Sequence, residues 1–304
     1  MADPDPNVTS NGNKPELKVA TPEVKRVRAS GPILILAVLF VVGAFLTWYF
    51  TWFGRNLSDA DITSYLSDQA HPRRVQHALL QVQERIARGD ANAKQWYPQI
   101  VSLAGSHETE FRLTVAWLMG FDNKTEEFHQ ALLKLVNDQE PIVRRNAALA
   151  LVRFNDGSGG RELRATLQPY PLAAPANGVV ESTLKEHAQV ARGTLLVRLR
   201  QTNNTIEEVR SPLPGRVEQI AVPLGATITS GQTLLTISSD EESIWEALRG
   251  LSFVGDADDL NVVEAYERGS ATGPARSDRI KEQAALTAKA IKSRVAERSQ
   301  TPKP

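Results

Sequence analysis

The apolar and polar positions of this chain change pattern three times. From Ile33 to Phe53 runs an unbroken, uncharged stretch rich in Leu, Val, Ile and Phe. As a helix rising about 1.5 Å per residue it would reach about 32 Å, so the run predicts a transmembrane helix within residues 30–54. Residues 56–170 then show apolar positions at the helical spacing of three and four. Residues 171–239 switch to alternation, with frequent Gly and Pro, as strands and turns require. Helical spacing returns over 240–295. Residues 1–29, with four of the seventeen prolines and no apolar period, read as a disordered tail, and 296–304 as a frayed end.

The flanks of the apolar run predict its orientation. Lys18, Lys25, Arg26 and Arg28 precede it, Trp48, Tyr49 and Trp52 cluster at its far end, and Arg55, Asp59 and Asp61 follow. The positive-inside rule then puts the tail in the cytoplasm and everything after about residue 55 outside. Val42-Gly43-Ala44 loosely fits a signal-peptide cleavage site, but the apolar run continues beyond it to Phe53, which favours an uncleaved anchor. The expectation is a single-pass protein of the bacterial inner membrane with periplasmic C-terminal domains.

Within the helical stretch the chain repeats itself. Asp138-x-x-Pro141-x-Val143-Arg144-x-x-Ala147-x-x-Ala150-Leu151 is preceded, in the same frame, by Ser106-x-x-Thr109-x-Phe111-Arg112-x-x-Val115-x-x-Leu118-Met119, with a fainter copy from Pro72 through Ala78 and Val82. Each unit reads as a helix, a turn holding Asp122 or Asp156, and a second helix, such as the stripe Phe128, Leu132, Leu135. Ser58 and Asp61 form a capping-box pattern ahead of a short helix through Leu66. The pattern resumes near the C-terminus. Ala247-x-x-Gly250-Leu251 then Asp256 restates Ala147-x-x-Ala150-Leu151 then Asp156, followed by Leu260, Val263 and Tyr266, and by Ile280-Lys281-x-x-Ala284. These units resemble HEAT repeats, which implies stacked helix pairs that bind partners along an extended surface. A resumed repeat should stack on its predecessors, so residues 245–268 are expected against the helices of 141–168.

The stretch of alternation contains a second repeat. Its first copy is Ala174-Pro175-Ala176-Asn177-Gly178-Val179, Leu184 and Val190-Ala191-Arg192-Gly193-Thr194-Leu195-Leu196. The second copy is Ser211-Pro212-Leu213-Pro214-Gly215-Arg216-Val217, Val222 and Ile228-Thr229-Ser230-Gly231-Gln232-Thr233-Leu234-Leu235. Neither half can bury its apolar face alone, so the two are expected to pair about a pseudo-twofold axis. This resembles the biotinyl/lipoyl domain, or barrel-sandwich hybrid. The resemblance implies a swinging cofactor on a lysine in the hairpin joining the halves. Here that hairpin, Arg198 to Glu208, holds no lysine, and arginine cannot form the amide, so no biotin or lipoate is expected. The lysine-free form of the domain is similar to that of periplasmic membrane fusion proteins, although those place a long α-hairpin where this chain has about a dozen residues. The expected fold class is therefore α+β multidomain: one transmembrane helix and a HEAT-like α-solenoid interrupted by an all-β barrel-sandwich hybrid.

Charge and composition then narrow the chemistry. Lys plus Arg, 35, equals Asp plus Glu, 35, which gives no footprint for nucleic acid. The absence of cysteine excludes disulfides, thiol catalysis and cysteine metal sites. Glu126 and His129 carry the Glu-x-x-His spacing of di-iron bundles, but only once, and His187 reads as a turn residue where the second β half has Gly225. Neither a phosphate loop nor a nucleophile elbow occurs. Arg112, Arg144 and Arg145 read as structural, bonding carbonyls or a neighbouring Asp; Trp96 and Trp117 read as core, and Trp245 as packing where the insert meets the resumed helices. No catalytic, cofactor or metal residue is expected. The chain reads as a non-enzymatic, membrane-anchored adaptor or scaffold for other membrane or periplasmic proteins. An accessory subunit of a respiratory or energy-transducing complex, or a carrier with an unrecognised cofactor site, is the alternative.

Overall fold

The computed structural model describes residues 31–48, 56–273 and 276–300. Among these are eleven α-helices and two four-stranded antiparallel sheets, an α+β architecture. The chain divides into two units, Met1–Asn56 and Leu57–Pro304.

In the first unit helix α1 covers Gly31–Trp48, 18 residues. At 1.5 Å per residue that is about 27 Å, less than the roughly 30 Å of a hydrocarbon core. Among the described residues no helix is long and apolar enough to cross a membrane. This corrects the expectation of a membrane anchor over Ile33–Phe53. The single-pass topology and the inner-membrane and periplasmic placement rested on that anchor, and they fall with it. Its last residues, 49–53, and the expected disordered tail, 1–29, lie outside the described residues.

In the second unit, α2 (Asp59–Ser67) opens with the capping box: the Ser58 hydroxyl accepts from the Asp61 N–H, and the Asp61 carboxylate accepts from the Ser58 N–H. There follow α3 (Pro72–Ala87), a 3-10 segment (Ala91–Trp96), α4 (Tyr97–Leu103), α5 (Thr109–Met119), α6 (Glu126–Leu135), α7 (Pro141–Arg153) and α8 (Gly160–Thr166). Each helix buries one stripe. On α5 it is Phe111, Val115, Leu118 and Met119, and on α6 Phe128, Ala131, Leu132 and Leu135. Small residues bring α5 and α7 close: a side chain at Gly120 would meet Ala150 Cβ at 3.2 Å. Polar side chains tie neighbouring helices, Gln76 Nε2 donating to Glu110 O and Asn146 Nδ2 to Leu113 O.

Eight strands follow: β1 (Tyr170–Ala173), β2 (Gly178–Thr183), β3 (Gln189–Val190), β4 (Leu195–Arg200), β5 (Ile206–Arg210), β6 (Gly215–Ile220), β7 (Thr227–Ile228) and β8 (Thr233–Ser239). One sheet has the order β1-β8-β6-β3 and the other β5-β4-β2-β7. Exchanging each strand for its counterpart in the other half (β1 with β5, β2 with β6, β3 with β7, β4 with β8) turns one order into the other, so the two sheets are related as a pseudo-twofold pair. The bulges obey the same relation, at Val180/Ser182 and Val217/Gln219. So do the turns. Gly193 and Gly231 have φ of 83° and 85°, and His187 adopts 68° where Gly225 has 79°. Val180, Leu196, Leu199, Val217, Leu234, Leu235 and Ile237 fill the core between the sheets.

Helices α9 (Glu241–Val254), α10 (Leu260–Glu267) and α11 (Asp278–Gln300) follow the insert. Helix α11 continues to Gln300, so 296–300 belong to it rather than to a frayed end. These helices share one core with those before the insert: Ala148, Leu163 and Leu167 pack with Ala247, Leu248, Leu251, Val263, Tyr266, Ile280 and Ile291. Each large apolar side chain so covered contributes about 1.5–3 kcal/mol. Arg164 Nε donates to the buried Asp259 at 2.5 Å and Tyr266 Oη to Leu167 O at 2.8 Å. The helical array is therefore continuous across the insert. Strand β1 pairs with β8, Tyr170 opposite Ile237, so the insert enters and leaves at one point. There Arg145 is buried, Nη2 donating to Ser239 Oγ at 3.2 Å with Glu162 at 3.9 Å. Burial brings its pKa down to about 10, which leaves it charged at neutral pH.

Candidate partner-binding groove

Helices α5, α7 and α9 lie side by side and leave between them a cleft of about 570 Å³. Its floor is made by Ala150, Val152 and Gly250, where small residues let the helices approach; a Cβ on Gly250 would touch Leu163 and Val152. Its walls are aromatic. Trp117 of α5 is 41% exposed and Phe253 of α9 is 56% exposed. Trp117 stands edge-on to Phe121, with ring centres 4.8 Å apart.

Two cations flank this apolar cleft. The Arg153 guanidinium lies 4.8 Å over the Phe121 ring, on the α5 side, and Arg153 Nη1 reaches Gly120 O at 3.4 Å. Arg249 lies 5.5 Å over Trp245, whose ring also takes Arg279 of α11 at 4.4 Å. Among the described residues neither Arg153 nor Arg249 has a carboxylate within ion-pair distance. Glu246 of α9 shares the cleft and accepts no hydrogen bond among the described residues. It stays open to solvent, yet desolvation by the surrounding atoms, reinforced by the carboxylates of Glu242 and Asp240, holds its pKa above the ordinary glutamate value. Arg249 and Arg153 oppose that shift without cancelling it.

The other arginines are committed inside the array. Arg112 makes a two-pronged contact with Asp138, at 2.7 and 3.0 Å, and caps the carbonyls of Ser106 and His107. One unit later Arg144 repeats the arrangement with Glu162 at 2.9 Å and the carbonyls of Asp138 and Gln139. These are the structural roles read from the repeat. His129 Nε2 is 2.6 Å from Asp156 and its ring stacks on Phe154, while Glu126 stands 3.7 Å from Nδ1. Among the described residues no three His, Asp or Glu side chains gather as a metal site. The hairpin tip, Gln201 to Thr205, is closed by the Gln201 N–H donating to Thr205 O at 2.9 Å, with Asn204 at φ 65°.

One tryptophan departs from expectation: Trp96 is buried, but Trp117 lines the cleft. Trp245 is partly buried against the core of the resumed helices and lies between two arginines. Position along the helix carried the signal for Trp117 and Phe253. Each falls two residues after a buried stripe position, Val115 or Leu251, about 200° around the helix and so away from the core.

No protein-family model and no curated protein matches the sequence. Nine chains among solved structures match. One comes from a structure described as that of a single-chain, multi-domain long-chain acyl-CoA carboxylase. It is 20% identical over 38% of this chain, with a TM-score of 0.23, and the match spans only 12% of that protein's length. A likeness at that level carries no argument about fold or activity.

Proposed function

We propose that this chain is a non-enzymatic scaffold: a HEAT-like helical array that docks a partner protein on its α5–α7–α9 face and carries a biotinyl/lipoyl-like module without the modified lysine. The observation behind the reading is the cleft between Trp117 and Phe253, where large aromatic side chains stay exposed beside two arginines that have no carboxylate partner among the described residues. Exposed aromatic and Arg side chains around a depression are the composition of protein-binding hot spots. The insert supports the same reading, since its hairpin Arg198 to Glu208 offers no lysine for a cofactor.

The test is a photo-crosslinking amino acid placed in the full chain at Trp117 or Phe253, compared with one at Lys134, an exposed position on α6. Crosslinks to one defined partner from the first two positions and none from Lys134 are expected. A partner reached equally from all three, or from none, sinks the docking role. The intact mass of the protein from its native host is expected to equal that of the unmodified chain.

A further inference from the structure

The cleft is asymmetric in charge as well as apolar. Arg153 and Arg249 are held against aromatic rings on its two sides, and Glu246, the one acid lining it among the described residues, cannot neutralise both. Elsewhere in the array the arginines Arg112, Arg144 and Arg164 each face a carboxylate at 2.5–2.9 Å. Arg153 and Arg249 both line the cleft and are exposed. A cation over an aromatic face gains only about 0.5–1 kcal/mol at an exposed site, so each guanidinium retains its capacity for a carboxylate.

We propose that the α5–α7–α9 groove takes an amphipathic helix of a partner protein, its apolar side chains set between Trp117 and Phe253 and its flanking acids on Arg153 and Arg249. This rests on the docking role above and names the partner's chemistry. Axes of packed helices lie about 8–10 Å apart, so crossing from α5 to α9 spans about 18 Å, or about 12 residues of helix. Apolar anchors at i, i+4 and i+7 suit such a groove. A further exposed apolar side chain stands on α3, the helix next to α5. Leu80, 50% exposed, lies one turn beyond Gln76 on the side of α3 that bonds α5.

The experiment uses the full chain and a set of synthetic helical peptides, long enough to cross the groove with a turn to spare, with a fixed Leu/Phe face and flanks of Glu, Gln or Lys. Binding is read by calorimetry at low and high salt. Glu-flanked peptides are expected to bind about tenfold more tightly than the Lys-flanked ones, which two exposed ion pairs can supply. The margin should shrink in high salt, and R153E/R249E should invert the order. Both arginines are exposed, so the variant is expected to melt as the parent does; R153Q and R249Q, each expected to reduce the margin, replace it if it does not.

Equal affinities, a preference for Lys flanks, no peptide bound, or an order unchanged in the substituted chains overturns the proposal. So does self-association lost in W117A, or uptake of a free fatty acid in place of any peptide. Crosslinking at Trp117 without acid preference removes this chemistry and leaves the docking role. Acid preference without crosslinking removes the docking role in the cell and leaves the chemistry.

Discussion

Two sets of arginines on neighbouring faces of the array share a side chain and little else. At the helix N-termini Arg112 and Arg144 are largely covered, each bonded to a carboxylate and to two carbonyls. In the groove Arg153 and Arg249 face solvent with no carboxylate within ion-pair distance among the described residues. The first set is structural, because withdrawing its partner strands a charge away from water. The second set is available, because water already serves it. What separates a joint from a binding residue here is whether the guanidinium is satisfied, and neither residue type nor distance from the core decides it.

The comparison breaks most sharply at Asp138. Its side chain is 8% exposed and holds both prongs of Arg112, so Asp138→Ala should cost about 3 kcal/mol and lower Tm by about 10 °C in a thermal melt. A loss below about 1 kcal/mol, the scale of an exposed pair, would make the joint ornamental. Titration sharpens the same point. Burial alone would raise the Asp138 pKa, but hydrogen bonds from Arg112 and the Glu140 N–H, with the charges of Arg112 and Arg144, hold it below the ordinary Asp value. The folded chain thus binds this proton less readily than the unfolded one. Its stabilisation is complete above about pH 3.9 and is lost as pH falls through the lower folded value. Asp138→Asn should therefore flatten the acid limb of the stability curve, and an unchanged limb would refute the linkage.

Gly159 tests the array's packing rather than its charge. An added Cβ would lie 2.6 Å from the Ala148 backbone, which cannot swing aside, so Gly159→Ala is expected to cost about 2 kcal/mol in chemical denaturation. Smaller and opposite in sign is Glu246→Gln. A raised folded pKa means that ionised Glu246 opposes folding, so the variant should be slightly more stable at neutral pH. The gain should vanish below about pH 4, where the glutamate is protonated in both states. A loss of stability at neutral pH would show that Glu246 has a partner. Smallest of all, Arg153→Ala and Arg249→Ala should each move stability by no more than about 0.5 kcal/mol, because both are exposed and their ring contacts are weak. A larger loss would place them with Arg112.

The sequence carried the local grammar well and the surface poorly. Ser58 and Asp61 announced their cap, and the Arg112 and Arg144 frame announced its inter-unit bonds, because each is a short-range pattern with few geometric solutions. His187 standing where the second β half has Gly225 marked a turn, and both residues adopt the left-handed backbone there. The echo of Ala147-Leu151 in Ala247-Leu251 anticipated that α9 would pack on α7 and α8. The membrane anchor is corrected because, among the described residues, no helix is long and apolar enough to cross a membrane, whereas hydropathy alone counts every apolar residue to Phe53. Trp117 was misplaced because its chemistry argued for the core while its helical phase argued against it, and phase wins. The pairing of Arg153 with Phe121 across two helices had no sequence signal, since it depends on the Gly120–Ala150 contact that sets their spacing.

The stem formed by β1 and β8 makes the insert a separable unit. Tyr170 and Ile237 sit opposite each other, about 5 Å apart as antiparallel neighbours are. All the intervening chain thus leaves and rejoins the helices within a single strand spacing. A chain cut at that stem and closed by a short turn would lose the Arg192–Glu110 ion pair to α5 but keep the core that the helices on its two sides share, and so is expected to fold without the β module.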